Sequence, residues 1–200
     1  MNETLRNRIL ELLPTYSGHK LSMLVTGGGF GLAEIGMLPG VSSLLSSFYS
    51  PYSVEESTMF VERHGGHALY EKFRTKMVSR DGAEALCEAL GWKNVILKSP
   101  DVISIALTAS LTTSRYRKGK NEAFVSLLLP KDEEFIKTWH LSFPKLSEEA
   151  HGRLTVAEVC AIRAREEEMI ALVALVLALN LEGVDLQKEI GNAKLERLFQ

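Results

Sequence analysis

The sequence predicts an α/β fold, a single three-layer α/β/α domain with a mixed sheet. Three observations predict it. Short apolar runs alternate with helix-patterned stretches through the first half of the chain, the order that builds parallel strands joined by helices. Two more apolar runs then follow back to back, as a strand pair does. The chain closes on a long helical stretch, and 200 residues with 46% hydrophobic content supply one core of ordinary size.

The elements follow in order. Residues 3–13 are amphipathic, and a helix there must end before Pro14. "KLSMLVT" (Lys20–Thr26) is a buried strand that runs into Gly27, Gly28, Gly29 and Gly31. Residues 30–38 open a helix closed by Pro39 and Gly40, and residues 41–50 hold a second strand. Ser53 caps a helix whose first turn carries Glu55 and Glu56. Residues 79–91 form a helix with Gly91 as its stop. Residues 101–110 start β-branched and read as a buried strand. Residues 121–130 and 134–144 pair. The second sets Phe135, Lys137, Trp139, Leu141 and Phe143 against Ile136, Thr138, His140 and Ser142, as an antiparallel strand with one wetter face does. Residues 155–200 are C-terminal helices, the first running from Thr155 to Leu181, charged early and apolar late.

Several function classes are disfavoured. The formal net charge is −2, whereas phosphate-backbone binding needs a local excess of Lys and Arg; no nucleic-acid partner is expected. The one basic run, Ser114–Lys120, reads as a solvated hairpin tip. The apolar run Met169–Leu181 has 13 residues, too few to span a bilayer. The start of the chain is charged and helix-patterned, unlike a signal peptide. The expectation is a cytoplasmic protein with no membrane partner. Cys87 and Cys160 have no zinc-type spacing and are expected as core thiols. His64 and His67 are separated by Gly65 and Gly66, and no carboxylate or cysteine is placed beside them. Neither a metal nor a cofactor is expected.

The glycine cluster admits two chemical readings. A strand that ends in glycines and opens a helix offers amide N–H groups to a phosphate. "VTGGGFGLA" resembles the glycine loop of short-chain dehydrogenases, and Tyr116 and Lys120 have that family's Tyr-x-x-x-Lys spacing. However, the last glycine of the loop is Ala33, no acidic residue ends a second strand about 20 residues on, and Tyr116 falls in a polar loop. A dinucleotide-binding dehydrogenase is therefore the remote alternative.

The second reading uses more of the chain. Thr26-Gly27-Gly28, then Pro39-Gly40 with Ser42 or Ser43, then Tyr52-Ser53, resemble the CinA C-terminal domain family, which includes nicotinamide-mononucleotide amidases. "VSRDGAEALCEAL" at 78–90, "ISIALTAS" at 103–110 with Thr108, "EAFVSLLL" with "KTWHLSF", and "AIRAREEEMIALVALVLAL" are similar to its later helices and strands. The resemblance implies a ligand pocket lined by Thr26, Gly27, Gly28, Tyr52, Ser53 and Thr108. It also implies a homo-oligomer, with the apolar last helix as a candidate interface or, more simply, a core helix.

The departures fall on the chemistry. The family's nucleophilic Ser falls on Leu24, the Glu before it on Met23, and its Lys on Ser57. The glycine loop after Thr108 is replaced by "ASLTTS". A hydroxyl attacks an amide only when a base activates it, and Leu24 has no hydroxyl. Ser22 keeps the same strand face but lies about 7 Å back along the chain. The expectation is an altered or inactive member that keeps a mononucleotide or small-anion pocket. The alternatives are an active amidohydrolase using Thr26, Ser22 or Ser57, and an oligomeric scaffold. Bland roles also fit: Gly27 and Gly28 permit a tight turn, Pro39-Gly40 ends a helix, and Tyr52 packs locally.

Overall fold

The computed structural model describes residues 3–99, 101–130 and 135–198. Six strands form one sheet in the order β2-β1-β3-β4-β5-β6. They are β1 Lys20–Thr26, β2 Leu45–Tyr49, β3 Val102–Ser110, β4 Glu122–Leu128, β5 Lys137–Ser142 and β6 Lys194–Leu198. The first three run parallel and the rest form an antiparallel meander. The sheet is mixed and open, as the sequence pattern predicts.

Helices cover both faces. Strand β1 shows why: six of its seven residues are buried, and alternate side chains must point to opposite faces. Leu21, Met23 and Val25 join a core with α1 (Glu3–Leu12) and the apolar half of α5 (Val156–Leu179). Leu24 joins a second core with Ala106 and with α2 (Val54–Thr75) and α3 (Arg80–Ile96). Helix α5 begins with a capping box, in which Thr155 and Glu158 satisfy each other's backbone N–H groups. Its buried run Ile170–Val176 makes it a core helix rather than an exposed interface element. Exposed apolar side chains gather instead at the end of α3, where Trp92 and Ile96 are 53% and 66% exposed. No helix among the described residues is long and apolar enough to cross a membrane.

Four expectations change, and the second strand expected within residues 41–50 is located. Residues 30–37 form a 3-10 helix, not an α-helix. Strand β2 is confined to Leu45–Tyr49, after a 3-10 turn at Val41–Ser43. Helix α3 runs through Gly91 to Ile96, because Gly91 is there for close packing: a Cβ on it would lie 2.6 Å from Leu128 Cδ2. The expected C-terminal helices give way, after the short α6 (Leu186–Ile190), to the edge strand β6. Cys160 is exposed, while Cys87 is fully buried in the α3 core and burial pushes its thiol well above the ordinary range. Positions 1, 2, 134, 199 and 200 of the expected elements lie outside the described residues.

Candidate functional site

The candidate site lies beyond the carboxyl ends of β1 and β3. The chain leaves β1 toward β2 on one side and leaves β3 toward β4 on the other. Such a divergence opens a crevice in α/β sheets, where ligands commonly bind. Thr26 and Thr108 are register partners there. Thr26 follows Leu24 by two residues and so shares its face, toward α2.

Helix α2 brings the third hydroxyl. Ser53 caps the helix by accepting a hydrogen bond from the Glu56 N–H at 3.1 Å, and that first turn turns Ser57 toward the sheet. The Ser57 hydroxyl donates to the Pro51 carbonyl at 2.6 Å. Its single proton is therefore committed, so Thr26 is the donor in the 3.2 Å contact between their hydroxyls. Positions 24, 26, 57 and 108 thus converge, with Thr26 and its partner Ser57 31 residues apart in sequence. Leu24 is fully buried and apolar-packed. Among the described residues, no Lys, His or carboxylate bonds to Thr26 or Ser57, so neither hydroxyl has an activating base. Ser22 is bonded to Ser47 at 2.5 Å, further back along β1. Thr108 is fully buried and its hydroxyl has no hydrogen-bond partner among the described residues. Such an orphan costs stability and calls for an explanation.

Tyr52 and Ser53 are not drawn into this cluster. Tyr52 is 62% exposed and pairs with Phe30, ring centroids 5.7 Å apart, at the surface. Ser53 is engaged in capping.

The glycines are fitted to protein, not to open space. Gly27 has φ of 74°, and a Cβ there would stand 2.1 Å from the Ala109 carbonyl oxygen. Gly29 has φ of 89°, and its Cβ would strike Leu107 at 2.3 Å. Both positions therefore require glycine, for conformation and for room. On the α5 side the loop is clamped by charge. The Gly29 N–H donates to Glu167 Oε2 at 2.6 Å. Arg163 donates to the Gly27 carbonyl at 3.1 Å, to the Thr112 carbonyl at 3.3 Å and to Glu167 at 3.1 Å. The amide that would face a phosphate in an anion cradle already holds a carboxylate.

Next to this clamp lies a buried acid that the sequence reading missed. Glu166, 4% exposed, accepts from the Thr112 N–H at 2.7 Å, the Thr112 hydroxyl at 2.8 Å and the Asn121 amide at 3.0 Å. These bonds tie both ends of the β3–β4 loop to α5. Arg117, inside the basic run, turns inward and donates to Ser110 and to the Leu111 carbonyl. One signal was available in sequence: Glu166 precedes Ile170 and Val173 by four and seven residues, on the helix face that is buried.

No protein-family model matches the chain, and no curated protein matches it. Solved structures do match in fold. A competence or damage-inducible protein from Enterobacter asburiae superposes with a TM-score of 0.58 at 12% identity, over 88% of this chain and 95% of that one. A competence-damaged protein (CinA) superfamily protein from Klebsiella pneumoniae gives 0.52 at 14% identity, over 84% and 97%. The competence/damage inducible protein CihA from Agrobacterium tumefaciens gives 0.52 at 16% identity, over 86% and 94%. The shared architecture spans most of both chains, and this chain has the fold of these competence/damage-inducible proteins at 12%, 14% and 16% sequence identity.

Proposed function

We propose that the chain is a CinA-type protein that has lost Ser–Lys amide hydrolysis and keeps a small-ligand site at the ends of β1 and β3. One observation carries the loss. The position of the expected nucleophile holds Leu24, fully buried in the α2–α3 core, beside a Thr26–Ser57 hydroxyl pair that has no base. Acyl transfer needs an activated nucleophile, and hydroxyls bonded only to each other and to a carbonyl are not activated.

The retained ligand site rests on the Thr108 hydroxyl, which is buried and has no hydrogen-bond partner among the described residues. The ligand is a mononucleotide or similar small anion that satisfies Thr108, with Thr26 beside it and Tyr52 at the rim. The Gly27–Gly29 loop shapes the crevice wall; its Gly29 amide is held by Glu167 and is not the anion contact. Calorimetric titration with nicotinamide mononucleotide and with purine mononucleotides tests the site, with ammonia followed in the same samples. Saturable heat without ammonia is the expected result. No heat with any of them removes the ligand site, and ammonia release abolished by Thr26→Ala removes the claim of lost catalysis.

A further inference from the structure

Beside the start of α2, reaching the Pro51 carbonyl that accepts from Ser57, lies a second recess, whose rings and cations the proposed function does not use. It is a groove of about 620 Å3 between the end of β2 and the first half of α2. Small-molecule sites occupy roughly 300–1,000 Å3. Its floor is a run of rings. Tyr49 and Phe60 lie 5.8 Å apart between centroids, and Phe60 and His64 lie 4.7 Å apart. Phe60 and His64 are four residues apart on one helix, so they stack along a single face.

Two cations bear on this floor. Lys93 reaches over from α3 and holds its ammonium 4.3 Å from the centre of the Tyr49 ring. Arg63 lines the groove directly. Neither side chain forms an ion pair among the described residues. Burial, with Lys93 and Arg63 nearby, lowers the His64 pKa below the ordinary imidazole value, so near neutral pH the positive charge comes from those two cations. Glu56 and Glu62 stand at the same groove without pairing to either cation. Met59, 61% exposed, adds a soft apolar wall.

We propose that this groove is a binding site for a planar aromatic ring carrying an anionic group, the ring against Tyr49, Phe60 and His64 and the anion between Arg63 and Lys93. Aromatic rings favour offset or tilted contact with other rings. An anion beside two unpaired cations gains charge-assisted hydrogen bonds. The groove adjoins the Thr26–Ser57–Thr108 cluster through Pro51, but the proposed contacts use none of those three hydroxyls.

The full chain is titrated with naphthalene-2-carboxylate, its neutral carboxamide and acetate, with backbone-amide NMR locating each. The carboxylate should bind at one site, shift the amides of Ser50, Arg63 and His64, and exceed both the carboxamide and acetate by about tenfold. Arg63→Gln, at an exposed position, and Lys93→Gln, at a half-buried one, should each weaken carboxylate binding about fivefold or more and leave the carboxamide unchanged. Phe60→Leu should weaken both ring compounds. Equal affinity for carboxylate and carboxamide overturns the proposal. So does indifference to both cation substitutions, absence of binding, or shifts confined to the Thr26–Gly29 crevice.

Discussion

The two sides of the glycine loop differ in how their polar groups are satisfied. On the α5 side, Arg163, Glu166 and Glu167 hold the carbonyls of Gly27 and Thr112 and the amides of Gly29 and Thr112. On the α2 side, Thr26 donates to Ser57 and Ser57 to the Pro51 carbonyl, Leu24 is apolar, and the Thr108 hydroxyl has no partner among the described residues. A polar cluster kept for stability is fully bonded, because each unpaired buried group costs free energy. On the proposed reading, the incomplete side receives the ligand and the bonded side is scaffold.

Substitutions that exchange the two sides' roles break this comparison. The largest effect is expected at Glu166. Glu166→Ala strands two donors of Thr112 and one of Asn121, and should cost about 4 kcal/mol in urea unfolding. A loss under 1 kcal/mol would mean that the α5 clamp is incidental. Leu24→Ser comes next. It restores a hydroxyl but removes a fully buried apolar side chain, so it should cost about 3 kcal/mol and still release no ammonia from nicotinamide mononucleotide. Turnover in this variant would show that a base is present after all. Glu167→Gln keeps the shape and removes the charge at the Gly29 amide, for a loss of about 1 kcal/mol. Smallest, and opposite in sign, is Thr108→Val. Removing an orphan hydroxyl should leave the free protein as stable or more so, by up to about 1 kcal/mol, while weakening mononucleotide binding. A destabilised Thr108→Val protein would show that the hydroxyl is bonded in solution and needs no ligand.

Much of the fold was legible, for physical reasons that also mark the failures. Strand β1 is buried on both faces, so its apolar run is continuous and stops sharply at Gly27. Strand β6, "KLERL", is an exposed edge with charges on it. Nothing in its pattern separates it from a helix, and only pairing with β5 makes it a strand. Gly91 reads as a helix stop but is a point of close approach to β4, a tertiary cause with no local signature. At the site, the convergence of positions 24, 26, 57 and 108 was readable only by resemblance. The clamp was not, because Glu167 meets Gly29 across 138 residues of sequence.

Ammonia release from nicotinamide mononucleotide by the unaltered chain, with Thr26→Ala beside it, tests the central claim most directly. The expected result is no release above the uncatalysed background from either protein. Release by the unaltered chain that Thr26→Ala abolishes would contradict the claim, and would make Thr26 the nucleophile of a working amidohydrolase.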